Sequence, residues 1–361
     1  MTLGEAFLRK ENNLNLLRLI AALGVLISHS FPLSTGSGAS EPFRESLGMT
    51  IGTLSVFVFF FISGMLVTSS AFTRGSIVDF ARSRVLRIYP ALLVMLSLTV
   101  FVLGPLVSED GAREYFSHQE TYRYFAYCAT LFKGVVYALP GVFVNNPYAG
   151  SVNGSLWTMP WEVRLYAVLG AAFVLSSAAG KYQLRTAKAI VIALAAFSAD
   201  KLLKHYFVLH DDEGVYEVRA LWLMFTIGSI SYLFRHSIRI SRAFFYLSIL
   251  SLAGASLIGG AWLLFATVLF LPYLIIHFAY TENRLLGAAS SMYSNRGDYS
   301  YGIYIYAFPI QQIIAHEWHS ITPVEMIAIS LPITLVFAIA SWHLVEKRSL
   351  ALKKKVDAVI G

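Results

Sequence analysis

Arg18 and His29 both lie within the first apolar run of the chain. At about 100° per residue, a spacing of 11 residues places them on nearly the same face of a helix, roughly 16 Å apart along its axis. A fixed cation would thus lie at one end of the face and a general base at the other. The structural alternative is an arginine reaching the membrane surface and a histidine bonded to a neighbouring helix.

A second basic pair, Arg84 and Arg87, is spaced i,i+3 and shares one face of a helix. Two guanidinium groups on one face can hold a phosphate or a pyrophosphate by bidentate hydrogen bonds. The alternative is contact with lipid headgroups.

Glu162 lies within another apolar run, five residues after Trp157. A charged group inside a membrane helix is costly, by about 2.5–3.5 kcal/mol on insertion scales, and is therefore a functional candidate. Such a carboxylate could orient the imidazole of His29 and stabilise its charge. The alternative is an ion pair with another helix.

Other polar residues give weaker signals. His316 and His319 are spaced i,i+3, unlike a zinc-binding HExxH pair, and we expect no metal site. Cys128 has no cysteine to pair with, so we expect it to fill space in the protein interior. Asp200 and Lys204 are expected to pair with each other at i,i+4. Six aromatic residues could stack on a sugar or form an interfacial belt: Tyr115, Phe116, Tyr122, Tyr124, Trp157 and Trp161.

The elements that must position these residues are apolar runs. Of the 361 residues, 57% are hydrophobic and 14% charged, against about a quarter charged in soluble domains, and the mean hydropathy is +0.62. This composition predicts an all-α, polytopic membrane bundle of about ten transmembrane helices in a single domain, 1–361. The ten runs are 14–33, 51–72, 88–107, 155–176, 187–206, 218–235, 243–259, 261–280, 299–316 and 324–344.

Two stretches between these runs carry distinct predictions. Gly259-Gly260 separates the seventh and eighth runs and predicts a tight turn. The apolar stretch 124–144 is interrupted by Lys133 and Pro140, which indicates a re-entrant or interfacial piece outside the membrane.

The basic residues indicate the orientation. If the N-terminus is cytoplasmic, 20 of the 28 Lys and Arg lie near cytoplasmic ends, including a basic tail at 346–361. Both termini are therefore predicted to be cytoplasmic, and the net charge of +7 is a topology signal rather than a nucleic-acid surface. A cleaved signal peptide is the alternative for the first run, but Arg18 and His29 do not suit it.

Together, these features suit a reaction across the membrane. Basic residues at a cytoplasmic mouth suit an anionic nucleotide tail, and a deep histidine suits a general base. The roughly 16 Å between Arg18 and His29 is about the reach of an extended pantetheine arm.

With these residues in place, the sequence resembles the acyltransferase-3 family of bacterial membrane O-acyltransferases. The resemblance covers the whole chain in order, although each motif alone is weak. The matching motifs are Arg18-x10-His29, Phe60-Phe61-Ile62-Ser63-Gly64 (one residue shorter than usual), Arg84-x-x-Arg87, Leu156-Trp157-x4-Glu162, Ser300-Tyr301-x-x-Tyr304 and Val345-Glu346-Lys347.

The resemblance implies a multi-pass protein of the bacterial cytoplasmic membrane, surrounded by lipid, with no bound cofactor. Its donor would be acyl-CoA, most often acetyl-CoA, and its acceptor a hydroxyl of a cell-surface, secreted or lipid-linked glycan. By this resemblance Arg84, Arg87 and Arg18 would bind the donor phosphates. His29 would act as general base or acyl relay, with Glu162 orienting it or positioning the acceptor. The motifs also give four pocket candidates: Ser63, Trp157, Tyr301 and Tyr304.

Two departures from the family pattern limit what is carried over. Many members have a histidine near the aromatic-Pro of the ninth helix, where this chain has Tyr306-Ala-Phe-Pro309, so we assign no role there. Some members continue into an SGNH domain, whereas only a short basic tail follows Glu346, which predicts a stand-alone transferase. The rival class is a transporter or flippase, although the sequence shows no inverted repeat and no paired Gly/Pro-broken helices.

Overall fold

The computed structural model describes residues 1–9, 12–74, 76–209, 213–281, 284–294 and 296–352. Within these ranges the chain is mostly helical and forms no β-strand, which confirms the all-α prediction. The helices are α1 Leu3–Phe7, α2 Leu14–Thr35, α3 Arg44–Leu47, α4 Ile51–Arg74, α5 Ile77–Leu98, α6 Gly104–Val107, α7 Gly111–Ser117, α8 Gln119–Thr130, α9 Met159–Ser177, α10 Gln183–Lys204, α11 Glu213–Leu233, α12 Arg242–Ile258, α13 Gly260–Tyr280, α14 Arg284–Ser294, α15 Ser300–Glu317 and α16 Pro323–Ser341.

Within the described ranges, five helical segments are long and apolar enough to cross a membrane. They are Leu14–Thr35, Ile51–Thr73, Ile77–Val107, Gly260–Tyr280 and Pro323–Leu352. The other five predicted runs also form helices, but these are shorter or carry more polar residues, such as Glu217 and Arg219 in α11. The multi-helix prediction is thus confirmed in part, and the count of ten spans and the orientation remain predictions.

The third span starts at Ile77, 11 residues before the predicted run 88–107, because α5 continues through a π-helical turn, Thr99–Leu103, into α6. Arginine is a good helix former, and Arg82, Arg84 and Arg87 therefore lie inside the helix rather than before it.

The chain follows several local sequence signals closely. Gly259 and Gly260 have positive φ of 75° and 52°, so α12 and α13 meet at the predicted turn. Lys204 Nζ lies 2.9 Å from Asp200 Oδ2, which confirms that pair. The stretch 124–144 is helical only to Thr130, and irregular chain follows to Asn153.

The chain divides into two compact units. The first comprises Met1–Ala21, Phe43–Phe80 and Arg164–Gly297. Its closest helix pair is α4 and α11, where two glycines let the backbones approach. A Cβ on Gly64 would lie 2.0 Å from the carbonyl oxygen of Phe225, and one on Gly228 would lie 2.2 Å from that of Phe61. Small residues at such a crossing are typical of membrane helices.

The second unit comprises Ala22–Pro42, Ala81–Val163 and Asp298–Gly361. Its central element is α15, in which 15 of 18 residues are buried. A Cβ on Gly302 would lie 2.7 Å from Cα of Ala338, so α16 packs closely against α15. Because α15 is buried in protein, it can carry Gln311 and Gln312 where a lipid-facing helix could not.

Candidate functional site

The second unit holds His29 in a defined environment on α2. Nδ1 of His29 lies 3.4 Å from the hydroxyl oxygen of Ser155, at the long end of hydrogen-bond distances. The ring of Phe308 meets the imidazole edge to face, with centroids 5.2 Å apart. His29 is partly exposed, whereas Ser155 is fully buried. We call these three residues the His29 site.

Ser155 comes from a short 3-10 turn, Gly154–Thr158, that leads into α9. The hydroxyl of Tyr304 donates to the carbonyl of Ser155 at 2.7 Å and lies 2.6 Å from the hydroxyl of Thr158. Asn153 donates to the carbonyl of Ile305 at 2.9 Å. Hydrogen bonds with α15 thus hold both ends of the turn.

Gly154 is needed at this turn because a ring occupies the space beside it. A Cβ there would lie 2.6 Å from Cε2 of Phe308, the ring that also packs on His29. Any larger residue at Gly154 would displace the Phe308 ring that contacts the imidazole.

The backbone of α2 around His29 is also held from α15. The side-chain amide of Gln311 donates to the carbonyl of Leu26 at 2.9 Å and to the hydroxyl of Ser30 at 2.7 Å. Ser30 directly follows His29. Both elements that supply the His29 site are therefore fastened to one buried helix.

Glu162 and Trp157, the other predicted residues of this stretch, are both partly exposed. Glu162 lies in the first turn of α9, and Trp157 in the preceding 3-10 turn. The structure gives His29 the hydroxyl of Ser155 as its hydrogen-bond partner. The orienting role assigned to Glu162 remains a prediction.

The predicted phosphate-binding pair lies on α5. Arg87 forms an ion pair with Asp298, and its Nη1 lies 3.6 Å from Oε2 of Glu346. Both carboxylates are buried. Arg84, one turn earlier, is partly exposed, and its Nε donates to the hydroxyl of Ser83 at 3.2 Å. We call Arg87, Asp298 and Glu346 the Arg87 cluster.

The Arg87 cluster joins three of the sequence motifs. Asp298 accepts hydrogen bonds from the backbone N–H and the hydroxyl of Ser300 at the start of α15. Glu346, which ends the π-helical turn after α16, accepts from Ser341 at 3.0 Å. Tyr301 donates to the carbonyl of Ile88 at 2.9 Å. Residues from motifs up to 259 positions apart (346 − 87) thus meet at one ionic cluster.

The other two predicted residues lie in parts of the chain assigned to the first unit. Arg18 is partly exposed on α2, which runs unbroken from Arg18 to His29, as predicted. The hydroxyl of Ser63, on α4, lies 3.0 Å from that of Tyr166. The donor-binding role of Arg18 and the pocket role of Ser63 remain predictions.

Sequence reasoning missed Ser155, Phe308 and Gln311. Ser155 lies in the same stretch as the Leu-Trp-x4-Glu motif, and its hydroxyl was the available signal. Phe308 and Gln311 gave no signal of their own, because aromatic and amide residues on a buried helix have many uses.

Comparison with known proteins adds to this geometry. A family model, acyltransferase-3, described as an acyltransferase domain, matches residues 11–343. An O-acetyl transferase of Shigella phage Sf6 is 30% identical over 351 residues, covering 95% of this chain and 97% of that protein. Nodulation protein 10 of Rhizobium leguminosarum bv. viciae is 28% identical over 373 residues, covering 96% and 95%. No solved structure matches the chain.

Proposed function

The chain belongs to the acyltransferase-3 family, and on that premise we propose that it is a membrane O-acyltransferase for glycans. The acyl group, most often acetyl, moves from cytoplasmic acyl-CoA to a hydroxyl of a cell-surface, secreted or lipid-linked glycan. A relative named O-acetyl transferase, aligned over nearly both full lengths, supports this chemistry.

The observation that carries the proposal is the environment of His29. Its Nδ1 faces the buried hydroxyl of Ser155 at 3.4 Å, and His29 as a whole residue is partly exposed. A neutral imidazole that donates from Nδ1 has its lone pair on Nε2. That nitrogen can then accept a proton from a sugar hydroxyl.

In the proposed reaction, Nε2 of His29 takes the proton of the acceptor hydroxyl as its oxygen attacks the thioester carbonyl carbon. The new C–O ester bond forms, the C–S bond breaks, and the CoA thiolate takes the proton from His29. General-base catalysis of this kind contributes about 10²–10⁴ in rate. In the relay alternative, Nε2 itself carries the acyl group between thioester and sugar.

For the donor, we propose that Arg84 and Arg87 bind the phosphates of CoA, with Arg18 as a further candidate. Two buried carboxylates already offset the charge of Arg87, so Arg84 contributes more of the net attraction. Acetyl-CoA affinity should therefore fall in Arg84→Ala, measured by calorimetry on purified protein. Unchanged affinity would remove Arg84 from the donor site.

We further propose ten membrane spans with both termini in the cytoplasm of a bacterial cell and the protein in its cytoplasmic membrane. Five helical segments of suitable length and hydropathy support a multi-pass arrangement. The excess of Lys and Arg near the proposed cytoplasmic ends supports the orientation.

The decisive experiment supplies radiolabelled acetyl-CoA to membranes that contain the protein and a bacterial surface glycan. We expect labelled glycan with the wild type and a loss of about 10²–10⁴ in rate with His29→Ala. His319→Ala, an exposed histidine, is the matched control and should keep the wild-type rate. A transporter or flippase would leave the glycan unlabelled in every sample.

A further inference from the structure

We propose that Ser155 is a positioning residue that holds the imidazole of His29 in the tautomer with the proton on Nδ1. The inference deepens the proposed function and rests on it. A histidine can act as a base only through the nitrogen without a proton, and a Ser155 hydroxyl that accepts from Nδ1–H leaves that lone pair on Nε2.

The contact between the two side chains is the first support. The hydroxyl of Ser155 lies 3.4 Å from Nδ1, and Ser155 is fully buried. A buried hydroxyl oxygen in that place can accept from an Nδ1–H group. The contact is long, as catalytic hydrogen bonds often are before substrate binds.

The second support is that the backbone carrying this hydroxyl is held in place. Tyr304 donates to the carbonyl of Ser155 itself at 2.7 Å and lies 2.6 Å from the hydroxyl of Thr158. Gly154, on the other side, is confined by Phe308. The side chain of Tyr304, a residue of the Ser-Tyr-x-x-Tyr motif, thus holds the backbone of Ser155 against α15.

The third support is that α2 is held on the same helix. Gln311, seven residues after Tyr304, donates to Leu26 and Ser30. His29 and Ser155 therefore share one rigid support, α15, although they are 126 residues apart in sequence. Such supporting hydrogen bonds can place a catalytic group precisely.

The test compares Ser155→Ala with Ser155→Thr and Ser151→Ala in purified, folded protein, with initial rates at varied acetyl-CoA. Ser155→Ala should lower kcat by roughly 10–100-fold, less than the roughly 10⁴-fold loss when a serine-protease triad loses its aspartate. KM for acetyl-CoA should stay within about twofold, because the donor phosphates are bound elsewhere. Ser155→Thr keeps the hydroxyl and should recover most of kcat.

Ser151→Ala is the matched control, because the hydroxyl of Ser151 is also buried but makes no hydrogen bond to any described residue, while its carbonyl accepts from Gln312. It should behave as the wild type. Tyr304→Phe, a second variant, should lower kcat in the same direction as Ser155→Ala.

Three results would overturn the inference: wild-type kcat in Ser155→Ala, a loss in Ser155→Thr as large as in Ser155→Ala, or an equal loss in Ser151→Ala. If the wild type itself transfers no acetyl group while it binds acetyl-CoA, the proposed function fails, and the inference fails with it. The two failures are therefore distinguishable by the wild-type rate alone.

Discussion

At the scale of single residues, Arg87 combines a proposed role in donor binding with an observed role in structure. Its guanidinium faces two buried carboxylates. Asp298 lies just before α15, and Glu346 lies just after α16. Removing one partner of a buried ion pair leaves an uncompensated charge, which costs about 3–5 kcal/mol.

We therefore predict that Arg87→Ala destabilises the protein by about 3–5 kcal/mol, because two buried carboxylates lose their cation. Glu346→Gln should destabilise it less, since Asp298 still pairs with Arg87. The measurement is the fraction of detergent-solubilised protein that stays monodisperse after heating. The control is Lys347→Ala, a neighbouring exposed charge, which should match the wild type.

A stable Arg87→Ala protein that fails to bind acetyl-CoA would contradict the structural role of the Arg87 cluster. A destabilised Arg87→Ala protein that still binds acetyl-CoA once folded would instead remove Arg87 from the donor site and leave Arg84 there.

The sequence allowed the chemical groups to be predicted, but not their partners. Arg18 and His29 follow from a fixed spacing within one helix, since helix geometry alone relates them. The partner of His29, Ser155, lies 126 residues away in a 3-10 turn. No local periodicity relates residues on different elements, so this contact required the structure.

At the scale of elements, Gly64 and Gly228 fix the closest helix crossing of the first unit. Each glycine faces a backbone carbonyl of the other helix, at 2.0 and 2.2 Å from where a Cβ would be. A backbone atom cannot move aside as a flexible side chain can, so α4 and α11 would have to separate.

Gly64→Ala and Gly228→Ala should each destabilise the protein by about 1–3 kcal/mol, as expected for overpacking, and lower its midpoint of thermal unfolding. The matched control is Gly254→Ala on α12, where the added methyl meets no described atom within 4 Å outside the backbone of its own helix. Equal midpoints for Gly64→Ala and Gly254→Ala would show that the crossing tolerates a Cβ.

Element boundaries were predictable where hydrophobicity changes abruptly and less so where it does not. The turn at Gly259-Gly260 was predicted because two glycines interrupt an apolar stretch. The start of α5 was placed too late, because its first turns carry three arginines that continue the helix without being apolar. The irregular chain after Thr130 was recognised only as an interruption.

At the scale of the whole molecule, the single cysteine makes the proposed topology directly testable. Cys128 is fully buried, and its thiol donates to the carbonyl of Val136 at 3.3 Å. Burial raises the pKa of the Cys128 thiol to about 11, although the hydrogen bond to Val136 acts in the opposite direction. Since the thiolate is the reactive form, Cys128 is almost fully protonated and unreactive at neutral pH.

We predict that the wild-type protein does not react with a maleimide at pH 7.5, and that reaction appears only as pH rises toward 11 or after unfolding. The measurement is the mass of the intact protein after exposure to the reagent. Rapid labelling of the folded protein at pH 7.5 would contradict the buried placement of Cys128.

On that unreactive background, Ala39→Cys and Ala178→Cys introduce exposed thiols in two loops. In intact spheroplasts, an impermeant maleimide should label Ala39→Cys, which the ten-span arrangement places outside, and spare Ala178→Cys. Lysis should expose both. The reverse pattern would invert the proposed orientation.

The ion pair between Arg87 and Glu346 also sets an order of events during synthesis. The ribosome adds 259 further residues (346 − 87) after Arg87 before this carboxylate exists. At about 5–20 residues per second, that interval lasts roughly 10–50 s. Throughout it, Arg87 lacks Glu346, and a chain released early never gains it. The contact that joins the turn after α16 to α5 therefore forms late, whereas Asp298, 211 residues after Arg87, is available to balance the guanidinium earlier.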